Sequence, residues 1–208
     1  IKLLLSGKYF IPELQNLIAG EEIIASFDVD QITSEALLFQ TGYLTLSSRQ
    51  QTGAFISYQL NYPNLEVFYS LNNAILENLV QNNIKKNQNK TNVLKALQTN
   101  DMHLLENTLQ AFFSSIPADW YRKNQIAEYE GYYASIVYCY FAALGLDVQP
   151  EEPTNYGRMD LVIRFEDRIY ILEFKVNELS PSGRALQQIK DKEYPQKFNN
   201  QETYLLGI

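Results

Sequence analysis

The chain has 208 residues, 46% of them apolar, which suffices for one large domain or two small ones. Its single cysteine and single histidine exclude an internal disulfide and a zinc site built from these residue types. No apolar run approaches the roughly 18 residues of a membrane span, and the net charge of −7 argues against a broad basic surface that binds many phosphates. Together these features predict a soluble cytoplasmic protein.

The first predicted helix spans residues 30–40, after a mixed pattern over 1–19. Asp30 or Thr33 can cap its start, because short oxygen-bearing side chains accept hydrogen bonds from the first free N–H groups of a helix. Gly42 follows its end, where glycine readily adopts the left-handed conformation that closes a helix. The sequence therefore predicts both ends of this helix.

A β-hairpin is predicted next. Residues 43–47 and 55–60 alternate in polarity and flank a polar, glycine-containing segment over 48–53. Alternation with a period of two is typical of strands with one covered face, and a glycine-containing connection is typical of hairpin loops. We therefore expect two short strands joined by a loop over 48–53.

Helical spacing returns over 66–80 and again over 93–113, where apolar residues recur every three or four positions. The intervening segment 82–92 is almost entirely polar and carries three lysines. We interpret it as a solvated helix end or a linker rather than as a phosphate-binding segment. Pro117 ends this helical part of the chain.

The last part of the chain predicts an α/β (α+β) domain with a mixed β-sheet flanked by helices. Both faces of the central strands are apolar, which predicts a sheet that is covered on both sides. The predicted elements follow the order αβββαβ, with helices over 124–144 and 184–198 and strands over 146–149, 160–165, 169–176 and 203–208.

Two carboxylates and an ammonium group come together if the middle strands form a hairpin. A two-residue turn at Glu166-Asp167 places Asp160 opposite Glu173, and opposed residues point to the same face with Cβ atoms roughly 5 Å apart. Lys175 shares that face because it lies two residues after Glu173. Carboxylate oxygens suit Mg²⁺, and an ammonium group can neutralise charge on a phosphoryl group. The spacing predicts a divalent-metal site for phosphodiester cleavage.

A purely structural alternative fits the same spacing. Asp160 and Lys175, or Glu173 and an arginine, can form a cross-strand ion pair at a sheet edge. Spacing alone does not separate the two interpretations.

Five short stretches support the catalytic interpretation in combination. They are Glu130–Tyr133 on a helix, Glu152–Asp160 leading into a strand, Glu173–Lys175, Ala185–Ile189 at the start of a helix, and Tyr194. Together they resemble the PD-(D/E)XK nuclease superfamily, in particular the nuclease-like C-terminal domain of a bacterial family of AAA-type ATPase proteins. The resemblance covers about residues 120–208 and implies a restriction-endonuclease-like core.

The resemblance implies a role for each of five residues. Asp160 and Glu173 would bind Mg²⁺ or Mn²⁺, Lys175 would be catalytic, Glu130 would join the metal site, and Gln188 would complete the catalytic group. Because Glu130 lies beside an apolar helix stripe, its carboxylate needs a partner, which a metal or Lys175 can supply. The alternative for Glu130 is a helix residue that faces solvent, and for Gln188 it is a surface amide.

Arg158, Lys192 and Tyr194 are the candidate nucleic-acid contacts. Arg158 can present a guanidinium to a phosphate, or it can form a salt bridge with Glu151 or Glu152. Tyr194 either packs under the site or contacts the phosphate backbone. The predicted partner is therefore nucleic acid, with DNA favoured over RNA.

Two earlier stretches, residues 37–46 and 58–67, resemble the region that follows the ATPase core in the same family, where the chain forms a winged-helix-like lid. The G-x-x-x-x-G-K-[ST] phosphate-binding loop does not occur in the chain, and the sequence begins at Ile1. We therefore expect the C-terminal part of a longer protein whose N-terminal ATPase region is a partner. The expected domains are a winged-helix-like tail over 1–68, a helical connector over 69–119 and the nuclease-like domain over 120–208.

The charge keeps two functions open. Residues 120–208 carry ten basic and thirteen acidic side chains, so nucleic-acid binding should be weak and strongly salt-dependent. The first hypothesis is a metal-dependent nuclease that forms part of an ATPase–nuclease fusion. The second is a catalytically silent module of the same fold that regulates its ATPase or docks onto it. The joint presence of Asp160, Glu173 and Lys175 favours the first, and the acidic surface favours the second.

Overall fold

The computed structural model describes residues 10–25, 32–79, 83–116, 130–154, 157–176, 183–198 and 200–208, and only the backbone of residues 25, 79 and 83–86. Within these residues there are seven α-helices and seven strands. The helices are α1 Glu22–Ala25, α2 Ser34–Gln40, α3 Leu65–Leu79, α4 Asn83–Thr99, α5 Met102–Ser114, α6 Glu130–Ala142 and α7 Arg184–Asp191. The strands are β1 Leu17–Ala19, β2 Thr45–Thr52, β3 Phe55–Asn61, β4 Asp147–Thr154, β5 Gly157–Phe165, β6 Arg168–Glu173 and β7 Glu202–Gly207. None of the described helices is long and apolar enough to cross a membrane.

The ends of α2 follow the sequence prediction. The Thr33 hydroxyl accepts a hydrogen bond from the Ala36 N–H at 3.2 Å, and Gly42 has a φ of +81° just after the helix. The alternative cap, Asp30, lies outside the described residues. Thr33 is therefore the N-cap, and the left-handed glycine ends the helix as expected.

The hairpin of β2 and β3 is longer than predicted. The two strands pair as far as Thr52 and Phe55, so the turn is Gly53-Ala54, and the expected loop over 48–53 is wrong. Almost all of β2 is exposed, so its polar residues carry no alternation that would reveal a strand. β1 adds antiparallel to the other edge of β3 and gives the strand order β1-β3-β2.

The helical region also departs from the prediction. The polar segment expected as a helix end or linker forms the first half of α4. The single helix expected over 93–113 breaks at Asn100, whose φ is +55°. Asp101 then caps α5 by accepting a hydrogen bond from the Leu104 N–H at 2.9 Å. The apolar spacing continues across the break, which is why periodicity alone did not reveal two helices.

The predicted order αβββαβ is confirmed in the C-terminal part, where the described portion of the expected helix over 124–144 is α6. β4, β5 and β6 are antiparallel neighbours, and β7 pairs parallel to β6. β4 extends beyond the predicted 146–149 because it is an edge strand, where Pro150 and Pro153 can be tolerated. The last helix ends earlier than predicted, since Glu193 has a left-handed φ of +48° and a separate 3₁₀ turn covers Tyr194–Phe198.

Both faces of the four-stranded sheet are buried. On one face, Leu161, Ile163, Leu172 and Phe174 join the large core that contains α6. On the other, Val162 and Ile171 pack with Ile189 of α7. Since strands with two apolar faces require cover on both sides, the helices lie where the sequence requires them.

Helix α6 connects the two sheets. Every residue from Ala134 to Ala142 is buried, as expected for a helix that is apolar all round. On the N-terminal side, the Ile11 N–H donates to the Ser135 hydroxyl at 3.0 Å, and the rings of Phe68 and Tyr138 lie 6.3 Å apart. On the other side α6 packs on β4 and β5. One continuous core thus joins the two parts of the chain.

Candidate active site

The β5–β6 hairpin brings two carboxylates together as the sequence predicted. Leu161 pairs with Leu172 and Phe165 with Arg168, which leaves Glu166-Asp167 as a two-residue turn. Asp160 and Glu173 are the next residues along this register, where the pairing of the two strands ends. The Asp160 carboxylate accepts a hydrogen bond from the Phe174 N–H at 2.9 Å, which fixes it against the end of β6.

Glu173 is an acid in an apolar environment. Only 1% of it is exposed, because it ends a strand whose neighbours are buried on both faces. The Gln188 amide donates to its Oε1 atom, whereas its buried Oε2 atom has no hydrogen-bond partner among the described residues. Burial, followed by the charge of Asp160, raises the pKa of Glu173 to about 7. Among the described residues, one buried oxygen of the Glu173 carboxylate therefore accepts no hydrogen bond. Burying such an oxygen costs free energy unless a further ligand binds it.

The same surroundings also shift the pKa of Asp160. Burial raises its pKa above the ordinary value for an aspartate, and the Phe174 N–H and the charge of Lys175 oppose that shift. Two desolvated carboxylates that interact in this way favour either a shared proton or a bound cation.

Lys175 lies between the acids of two elements. Its ammonium group is 3.0 Å from Glu130 Oε2 and 3.8 Å from Glu173 Oε1. Glu130 comes from the first turn of α6, 45 residues earlier in the chain. Glu130 thus reaches the site as expected, but through Lys175, so the structure gives it a positioning contact rather than a place beside both carboxylates.

The residues present fit a divalent cation. Asp160 and Glu173 supply hard carboxylate oxygens, and Glu173 Oε2 accepts no hydrogen bond from the described residues, so it is free to bind a cation. In the part of the chain that the structure describes, no three His, Cys, Asp or Glu side chains converge into a complete cluster. A cation at this position would therefore depend on two protein carboxylates together with water and substrate oxygens.

The predicted nucleic-acid contacts occupy three different environments. Arg158 forms an ion pair with Glu151 at 2.6 Å, which is the salt bridge that the sequence left open. Tyr194 is buried, and its hydroxyl donates to the Arg158 carbonyl at 2.9 Å, so it packs under the site and supports β5. Lys192 is exposed at the C-terminal end of α7.

Two further basic residues connect elements that are distant in the chain, and sequence reasoning missed both. Lys197 contacts Glu152 at 2.6 Å and the Pro153 carbonyl at 2.7 Å. Arg168 donates to the Leu97 carbonyl at 2.6 Å and so ties the end of α4 to β6. Their partners lie 45 and 71 residues away in the chain, so no local spacing could have revealed these contacts.

Comparison with known proteins supports the C-terminal assignment. Residues 128–208 match the family model of the PD-(D/E)XK nuclease superfamily. The mixed sheet with helices on both faces is consistent with the restriction-endonuclease-like fold of that superfamily.

One relative matches over the whole chain. It is a protein of Azotobacter chroococcum mcd 1 named "Uncharacterized protein in vnfD 5'region", which is 45% identical over 210 residues. The match covers 100% of this chain and 41% of the relative, so the chain spans about two fifths of that protein's length. No solved structure matches the chain significantly.

Proposed function

We propose that this chain is a metal-dependent nuclease that hydrolyses phosphodiester bonds in nucleic acid. The observation that carries this proposal is the buried Glu173 carboxylate beside Asp160. Gln188 holds one of its oxygens, and in the described part of the chain the other oxygen has no hydrogen-bond partner. The match of residues 128–208 to a nuclease superfamily supports the same reaction class.

The protein's own groups have distinct roles in this proposal. Asp160 and Glu173 would hold Mg²⁺ or Mn²⁺, and Gln188 fixes the orientation of the Glu173 carboxylate. Lys175 can donate a hydrogen bond to a phosphate oxygen and stabilise charge that develops there. Glu130 holds the Lys175 ammonium group next to the carboxylates, so it acts as a positioning residue. When bound, a divalent cation supplies Lewis-acid chemistry that makes a water more acidic and stabilises charge on phosphorus.

A catalytically silent module is the second candidate. The Lys175–Glu130 ion pair favours it, because an ammonium group that is already paired gives less stabilisation to a phosphate. In this alternative the carboxylates and the lysine only maintain the fold, and the domain regulates a neighbouring domain or docks onto it.

The two candidates differ in metal binding. We expect a calorimetric titration with Mn²⁺ to give a stoichiometric binding event with the wild type and none with the Asp160→Ala, Glu173→Ala double variant. A double variant at two remote acids, Glu35→Ala with Glu66→Ala, is the matched control and should bind as the wild type does. Mn²⁺-dependent cleavage of labelled DNA and RNA then completes the test. Absence of Mn²⁺ binding by the wild type would contradict the nuclease proposal.

The rest of the longer protein is also part of this proposal. We infer that residues 1–68 continue from an N-terminal AAA-type ATPase region, with residues 69–119 as a connector to the nuclease-like domain. The order of α2 followed by the β2–β3 hairpin supports this inference, as does the greater length of the Azotobacter relative. To test this inference, the full-length protein is expressed and its cleavage of nucleic acid is measured with and without ATP. The same cleavage rate in both conditions would contradict a functional link between the two regions.

A further inference from the structure

A cleft of about 880 Å³ opens beside the proposed site. One wall is the face of α5 that carries Met102, Leu109 and Phe113, and the other is formed by the first turn of α7 and the end of β7. Lys175 also lines it. Since Lys175 contacts Glu130 and lies near Glu173, the cleft adjoins the position at which a phosphate would be bound.

The cleft combines an aromatic ring with polar groups. Phe113 is half-buried, and its ring lies 5.6 Å from Phe112 and 5.9 Å from Tyr133, which hold it in place. Gln110 and Ser114 are exposed on the same wall. A nucleobase has flat apolar faces and hydrogen-bonding edges, so a wall of this composition suits stacking together with an amide contact to the base edge.

The charges of the cleft differ from those of the whole chain. Its lining has two basic residues, Lys175 and Arg184, and one acidic residue, Glu106, whereas the chain carries a net charge of −7. In the described part of the chain, Arg184 forms no ion pair. Because Lys175 is paired with Glu130, Arg184 is the basic group of the cleft lining that can meet an anionic ligand. The rest of the lining is partly apolar, as a ligand with an aromatic group requires.

The size of the cleft selects among forms of nucleic acid. A volume of this order accommodates one small organic ligand, which corresponds to a nucleotide or two rather than to paired strands. In a duplex the faces of the bases are stacked, and only their edges are accessible in the grooves. A base can enter a cleft of this kind only if it is unpaired or leaves the stack.

We propose that this cleft binds the base of an unpaired nucleotide next to the phosphate at Lys175, so that the substrate is single-stranded nucleic acid. This inference rests on the proposed nuclease function and specifies its substrate class. Phe113 is the stacking residue, and Arg184 contacts the backbone of the same strand.

The test measures binding separately from cleavage. A fluorescein-labelled oligonucleotide of about twelve nucleotides is titrated with the 208-residue chain in Ca²⁺, as a single strand and as a blunt duplex, and anisotropy is recorded. We expect the single strand to bind more tightly. Phe113→Leu, which keeps apolar volume but removes the ring, should weaken single-strand binding about tenfold. Phe55→Ala is the control, because Phe55 is 65% exposed at the tip of the β2–β3 hairpin and away from the cleft.

Three results would each contradict the proposed binding of single-stranded nucleic acid. Equal affinity for duplex and single strand, unchanged binding by Phe113→Leu, or no binding of either nucleic acid would overturn it. Gln110→Ala, at an exposed position, is a second variant that tests the same wall if the first fails to fold, and thermal unfolding identifies such a failure. If Mn²⁺ binding and cleavage persist while the Phe113 variant binds normally, the substrate inference fails and the nuclease proposal stands.

Discussion

The three-stranded and four-stranded sheets differ in how much of each strand they bury. β2 is exposed along nearly its whole length, and Leu46 and Phe55 are 41% and 65% exposed. β6, in contrast, is buried at every residue after Arg168. The difference follows from the cover on each sheet, since α6 and α7 lie on opposite faces of the four-stranded sheet.

This difference determines which sheet can hold a carboxylate away from water. A polar side chain on β2, such as Arg49, remains exposed to water. Glu173 on β6 is desolvated, and its pKa is raised to about 7. Burial of both faces of a sheet therefore provides the dry environment in which a carboxylate binds a proton or a cation strongly.

The largest expected effect compares one leucine from each sheet. Leu172→Ala removes a fully buried side chain and should lower the free energy of unfolding by about 2–5 kcal/mol. Leu46→Ala removes a partly exposed one and should cost less than about 1 kcal/mol. Urea unfolding followed by circular dichroism measures both. Equal losses of unfolding free energy would show that the two sheets do not differ in how strongly their buried side chains stabilise the fold.

The second prediction concerns catalysis and rests on the proposed function. Lys175→Ala should lower the rate of Mn²⁺-dependent cleavage by about 10²–10³-fold, because a preorganised donor at the phosphate is lost, while Mn²⁺ binding persists. Lys190→Ala, at an exposed position on α7, is the matched control and should cleave normally. Equal cleavage rates for the two variants would show that Lys175 has no catalytic role.

The third prediction concerns pH. Because the pKa of Glu173 is raised to about 7 in the folded state from an ordinary value of 4.5, the folded state binds the proton more tightly than the unfolded state between these values. Stability without metal should therefore fall as pH rises from about 5 to 7.5, by an amount on the order of 1–3 kcal/mol. Urea unfolding in EDTA measures this slope, and Glu173→Gln should flatten it. A slope that survives the substitution would assign the proton to another group.

The smallest effect is expected at the start of α5. Asp101→Ala removes the side chain that caps the helix and should cost about 1 kcal/mol, whereas Asp101→Asn keeps an accepting oxygen and should cost little. Thermal unfolding of the two variants measures the difference. Similar losses would show that the cap hydrogen bond contributes nothing and that the charge matters instead.

The position of Asp160 beside Glu173 could be predicted because register arithmetic depends only on a two-residue turn and apolar strands. The contact between Gln188 and Glu173 was accessible only through the family resemblance. The sequence suggested Lys175 or a metal as the partner of Glu130, and only the packing of α6 against the sheet shows that Lys175 makes this contact. The strand over Ser48–Thr52 was missed since a strand exposed on both faces shows no polarity pattern.

The sequence also could not indicate the cleft. Its walls come from α5 and from α7 with β7, which are distant in the chain, and the break at Asn100 that sets the direction of α5 is hidden by continuous apolar spacing. Packing decides such features, and local preferences do not.

The parallel strand β7 has a consequence for when the candidate site forms during synthesis. The Lys175 N–H donates to the Ile208 carbonyl, and the Ile208 N–H donates to the Glu173 carbonyl, both at 2.9 Å. The segment that carries both residues is thus held by Ile208, which follows β7 directly and lies 33 residues after Lys175 in the chain. Because pairing over such sequence separations forms slowly, we expect the ribosome to release β7 before Glu173 and Lys175 reach their final positions. A nascent chain that stops before β7 would carry Glu173 and Lys175 without the backbone contacts that position them, so the candidate site forms only when folding is complete.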